Sequence, residues 1–125
     1  MGASQLQLHK NFPTREAADK RLEEYSNSEL LRRDANDMLY QYNSSRNYNP
    51  SPHLGKIQVP VLHVNSADDI INPPELGIAE REIKKVKRGR FVLLPISDQT
   101  RGHFTHNEAA VWQQYLEELL KESAK

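Results

Sequence analysis

Apolar residues are distributed in two regimes along this chain, thin and helical before residue 56 and clustered after it. Val59-Pro60-Val61-Leu62-His63-Val64 is a nearly continuous apolar run with β-branched residues, the pattern of a strand covered on both faces. Phe91-Val92-Leu93-Leu94-Pro95-Ile96 repeats it. Between them a helix start is expected, with Asn72 as cap, Pro73 at the first helical position and Glu75 completing a capping-box arrangement. Leu76, Ala79, Ile83 and Val86 then follow at helical spacing, and Gly89 is the expected stop. A last helix is expected after Thr105 and Glu108, with Trp112, Tyr115, Leu116, Leu119 and Leu120 as its apolar face. The order β-α-β-α predicts an α/β unit with parallel strands and a right-handed crossover.

The first part of the chain is leaner. Residues 1–13 carry no periodic signal and read as a disordered lead. Thr14 can cap a helix over 15–26, with Ala18, Leu22 and Tyr25 on one face. Ser26-Asn27-Ser28 is expected to interrupt it before a second helix over 28–43, with Leu31, Ala35, Met38 and Tyr42 in line. One apolar stripe each makes both helices dependent on a partner surface. Asn43 to Gly55 reads as a loop. The expected organisation is therefore a lead over 1–13, a helical segment and loop over 14–56, and the β-α-β-α part over 57–125.

Composition narrows the function classes. Seventeen basic and 17 acidic side chains are intermixed and cancel, so a phosphate-neutralising surface for nucleic acid is not expected. The one basic cluster, Lys84 to Arg90, falls where cations complement a helix C-terminus. The absence of cysteine removes disulfides and thiolate metal sites and is compatible with a reducing compartment. No run approaches the ~18 apolar residues of a membrane span, and the N-terminus lacks a signal-peptide apolar region. A cytoplasmic protein without membrane contact is the expectation.

The chemistry concentrates in Asp68-Asp69-Ile70-Ile71-Asn72-Pro73-Pro74-Glu75 and Thr100-Arg101-Gly102-His103. Each follows an expected strand, and ligand sites of parallel α/β sheets gather outside the carboxyl ends of the strands. A carboxylate at the imidazole Nδ1 fixes its tautomer and stabilises the imidazolium formed when Nε2 takes a proton. Asp69, nearer the helix start, is the preferred acid, with Asp68 as the alternative, and His103 is the base. Singly, an Asp before a helix is more often a turn or cap residue, and a His in a glycine-containing loop is more often an exposed polar one. The joint placement raises the catalytic reading. His103, His106 and Asp98 as metal ligands are a weaker reading, and His63 is expected to be a packed or edge histidine. Asp34-Ala35-Asn36-Asp37 lacks the glycine and final glutamate of a calcium loop and reads as solvated helix surface. No Gly-x-Ser-x-Gly nucleophile turn occurs among the five glycines.

With these residues the chain resembles a known family. Asn65 to Glu75 and Ser97 to His103 look like the C-terminal part of the homoserine O-acetyltransferase-like branch of the α/β-hydrolase superfamily. Asp34-Ala35-Asn36-Asp37 with Leu39-Tyr40 looks like its lid region, and the resemblance spans about residues 15–120. It implies a C-terminal part of an α/β-hydrolase fold, parallel strands with flanking helices behind an N-terminal helical lid-like segment. It also implies that Asp69 and His103 are the acid and base of a Ser-His-Asp triad for acyl transfer or ester hydrolysis. The family's serine elbow and oxyanion hole belong to an N-terminal half not contained in this sequence, so little triad catalysis is expected from the chain alone. Phe104 stands where the family's triad His is followed by an Asp that holds an ammonium, which leaves the acceptor open. The implied partners are a small-molecule acyl donor and acceptor. No metal or organic cofactor is implied, and acetyl-CoA would be a co-substrate if the enzyme is a transferase. The alternative from another class is a non-catalytic α/β interaction module, and two strands with bare edges leave a homodimer open.

Overall fold

A computed structural model describes residues 3–124. They are mixed α/β, mostly helical, with one small parallel sheet. Two compact units divide them: one takes in the described residues up to Gln7 and those from Ser51 onward, the other Leu8–Pro50.

In place of the disordered lead, Gln5–Asn11 form helix α1, with His9 and Lys10 in its last turn, where cations complement the helix dipole. Residues 1 and 2 of that lead lie outside the described residues. Thr14 caps α2 (Arg15–Arg32) as expected, its hydroxyl accepting the Ala17 N–H at 3.2 Å. Ser26-Asn27-Ser28 does not interrupt this helix. Ser28 Oγ donates to Tyr25 O at 2.8 Å, a back-bond that satisfies the hydroxyl without leaving the helix. The break comes instead at Arg33, which is extended, and Asp34 restarts the chain as the cap of α3 (Ala35–Asn43). Its Oδ1 accepts from Asn36 N at 2.8 Å and Asp37 N at 3.2 Å, so Asp34 is a cap and not mid-helix surface. Neither α2 nor α3 contains a buried residue.

The other unit carries the expected β-α-β-α order. Strand β1 (Val61–Ser66) pairs in parallel with β2 (Gly89–Leu94), in a register that runs from Val61 opposite Gly89 to Ser66 opposite Leu94. The first strand starts just beyond Pro60, which has no N–H to give a ladder. The single helix expected between the strands is split. A 3-10 turn at Pro74–Leu76 ends at Gly77, whose φ of 61° is left-handed, and α4 spans only Ile78–Ile83. Gly89 is not the helix stop but the first residue of β2. A Cβ there would stand 2.5 Å from Ile83 O and 2.9 Å from Val86 Cβ, so the close return of the chain requires glycine.

Helix α4 packs on β2, and α5 (Ala109–Ser123) on β1. Arg90 pairs with Glu118 at 2.9 Å, joining strand to helix. Val86 and Leu94 are the buried apolar side chains among the described residues, each contributing about 1.5–3 kcal/mol by burial. The other buried side chains are polar: Ser4, Ser66, Asp68, Asp69, Thr100 and Thr105. All but Ser4 lie at the carboxyl ends of the strands. Among the described residues no helix is long and apolar enough to cross a membrane.

Candidate active site

The site is built where β1 runs out. Ala67 N donates to Leu94 O at 2.9 Å, one step past the strand, and Asp69 N returns to Ser66 O at 3.0 Å. This turn buries two successive carboxylates, Asp68 at 4% exposure and Asp69 at 6%. Burial alone raises a carboxyl pKa, yet both are held below the ordinary value.

Asp69 faces the imidazole. Its Oδ1 accepts from Ile71 N at 2.8 Å and Asn72 N at 3.0 Å, and its Oδ2 lies 3.1 Å from His103 Nδ1. Against the burial that would raise it, the Asn72 N–H, His103, the Ile71 N–H and the Asn72 amide keep the carboxyl lowered and ionised. An anion facing Nδ1 can only accept, so the ring proton belongs on Nδ1 and the lone pair on Nε2.

Asp68 faces the other way, toward the chain that carries His103. The Ser66 hydroxyl donates to Oδ1 and the fully buried Thr100 hydroxyl to Oδ2, the latter at 2.9 Å. Burial is again offset, here by the Ser66 and Thr100 hydroxyls and the Gly102 N–H. The Ser4 hydroxyl is also buried but makes no hydrogen bond among the described residues. Of the two candidate acids, Asp69 meets His103, while Asp68 ties the end of β1 to the histidine loop.

That loop is clamped from within. Thr100 Oγ accepts from Ser97 N at 3.1 Å, and Gly102 takes a left-handed φ of 61°. Thr105 does not cap the final helix. It is buried, accepting from Arg101 N at 2.9 Å and donating to Gly102 O at 2.7 Å, and α5 begins only at Ala109. His106 Nδ1 donates to His103 O at 2.6 Å, and Trp112 Nε1 donates to His106 O at 3.1 Å.

His103 is 36% exposed by side chain against 6% for Asp69, so the pair has a buried anionic end and an accessible basic end. Beside it lies a cavity of about 250 Å³, lined among others by His63, Asn65, Asn72, His106 and Trp112. Phe104 meets the imidazole edge-on, with ring centroids 6.2 Å apart. A partly exposed imidazole oriented by a buried carboxylate can take a proton from a hydroxyl and return it to a leaving group.

The metal reading of His103, His106 and Asp98 finds no support, since no group of three or more metal-ligating side chains occurs among the described residues. His63 is an exposed strand residue, edge-on to Phe91 at 5.5 Å. Residues the sequence reading missed are Asn72, Asn65, Thr100 and Thr105. Asn72 takes part through its side chain, 3.4 Å from both Asp69 Oδ2 and His103 Nδ1, rather than as a helix cap. An Asn three residues after an Asp was the available signal, since it fits a turn as well as a cap.

No protein-family model, curated protein or solved structure matches this chain.

Proposed function

We propose that the chain supplies the acid and base of a serine-dependent acyltransferase or ester hydrolase, as the C-terminal part of a homoserine O-acetyltransferase-like α/β hydrolase. The observation that carries this reading is Asp69 Oδ2 at 3.1 Å from His103 Nδ1, at the carboxyl ends of two parallel strands. His103 Nε2 would take the proton of a serine hydroxyl as it attacks an acyl carbonyl, then protonate the leaving group. In the second half it would deprotonate water or an acceptor alcohol, regenerating the serine. Asp69 would hold the ring and stabilise the imidazolium in each half. The serine and the oxyanion donors must be contributed by another segment, because no Gly-x-Ser-x-Gly turn occurs in the sequence. Phe104 beside the base favours an acceptor without an ammonium group.

The test is complementation. The chain is combined with a strand-turn-helix segment carrying a Gly-x-Ser-x-Gly serine, and hydrolysis of an activated acetyl ester is followed. Activity is expected, with Asp69→Asn lowering kcat by about 10⁴-fold and His103→Ala abolishing the burst of acyl-enzyme. Activity that survives His103→Ala overturns the reading. One observation favours a second reading, a non-catalytic interaction module. Among the described residues each strand pairs on one side only, and open edges template association. A dimer that forms through β1 or β2, alongside inert complementation, would favour it.

A further inference from the structure

We infer that Asn72 is a positioning residue of the Asp69–His103 pair, its side-chain amide holding the carboxylate rotamer that keeps the ring proton on Nδ1 of His103. Its consequence for catalysis rests on the acyl-transfer reading above; its geometry does not.

Three contacts set Asn72 over the pair. Its backbone N–H donates to Asp69 Oδ1 at 3.0 Å, fixing one carboxylate oxygen. Its backbone carbonyl accepts Asn65 Nδ2 at 2.9 Å, which fastens the 69–72 turn to β1. Its own Nδ2 donates to Asp69 Oδ2 at 3.4 Å, the oxygen that also accepts His103 Nδ1–H at 3.1 Å, and so lies beside that ring nitrogen at 3.4 Å without bonding to it. Of the two ends of an amide, only the NH2 can face a carboxylate, so the donor end points inward.

That donor has two effects. It shares Oδ2 with the imidazole, so the carboxylate cannot rotate away without leaving both partners. It also gives Oδ2 a second donor beside the imidazole. An oriented and ionised Asp69 makes the tautomer with Nδ1–H the favoured neutral form, because the other tautomer turns a nitrogen lone pair toward the anion. Nε2 is then the free base. Without the amide the carboxylate keeps its two backbone donors on Oδ1 but loses one of the two partners of Oδ2.

The backbone contacts of Asn72 do not depend on its side chain, so substitution isolates the amide. The experiment is ¹⁵N NMR of the histidine rings in the full chain, reading the ratio of the Nδ1–H and Nε2–H forms of His103 at a pH where the ring is neutral. The wild-type chain is expected to hold the Nδ1–H form. In Asn72→Ala the ratio should fall by about tenfold, and Asn72→Leu, which fills the space without a donor, should behave the same way. Asn72→Ser, which restores a small donor, should recover part of the ratio. An unchanged ratio in both the Ala and Leu variants overturns the inference, and so does a loss in Ala that Leu repairs, since packing alone would then explain it. Failure of the acyl-transfer reading shows elsewhere, as complemented activity that survives His103→Ala, whatever the tautomer ratio does.

Discussion

The carboxyl ends of the strands and the helical segment from Thr14 to Asn43 are opposites. The first buries polar groups and satisfies them: Asp68, Asp69, Thr100 and Thr105 are nearly inaccessible, and each has hydrogen-bond partners from its own unit. The second exposes apolar groups: Leu30, Leu31, Leu39, Tyr40 and Tyr42 are 56–90% exposed, and no residue of α2 or α3 is buried. A network of directional bonds can close on itself. An apolar stripe contributes only when a second surface removes it from water. The site is therefore built from directional bonds within its two loops and between them, whereas the two helices carry caps and solvent-exposed ion pairs such as Arg15 with Asp19.

Acid gives the largest expected break of this contrast. Asp68 and Asp69 are both held below the ordinary 3.8 in the folded chain, so the unfolded chain binds protons first as pH falls. Their stabilisation is complete above the unfolded value and is lost as pH drops through the folded values. Urea midpoints of the site unit, followed by Trp112 emission, should fall steeply below about pH 4, and Asp68→Asn should flatten that fall. A midpoint independent of pH would mean that the carboxylates are not held by their donors. Next is Thr100→Val, which keeps the shape and leaves a buried charge short of a donor, at a cost of about 2 kcal/mol. Hydrogen exchange at Gly102 and His103 should rise with it. In the helical segment Asp34→Ala removes a cap and should cost about 1 kcal/mol, read as lost helicity by circular dichroism. Smallest is Leu31→Gln, at 90% exposure, which should stay within about 0.5 kcal/mol. A larger loss there would show that Leu31 is covered in solution and would dissolve the comparison.

The site was legible in the sequence to the extent that it depends on strand ends. Two apolar runs followed by polar loops place Asp69 and His103 at the same end of a parallel sheet, and they meet. The division of labour between Asp68 and Asp69 was not legible. Adjacent residues of a turn point in different directions, and only the paths of the 69–72 and 97–105 segments decide which one the imidazole meets. Asn72-Pro73 and Thr105 with Glu108 satisfy the spacing of helix caps, yet Asn72 turns its side chain to Asp69 and His103 and Thr105 turns its own back onto the Arg101–Gly102 backbone. The seam between α2 and α3 was misplaced because serine and asparagine lower helix propensity without forbidding it. An Asp with two backbone N–H groups ahead of it stops and restarts the chain more forcefully than Ser26-Asn27-Ser28. Gly89 fits a helix stop by pattern, but the reason glycine is required there is the approach of Ile83, a contact no periodicity encodes.

The bond from Trp112 to the carbonyl of His106 makes the histidine loop optically addressable. The chain has one tryptophan, and its indole both anchors that loop and lines the cavity beside His103. Any molecule entering the cavity, or any segment closing over it, changes the polarity around a single fluorophore. Emission wavelength and quenching thus give a label-free titration of occupancy at the pair, usable before a substrate is known and independent of turnover.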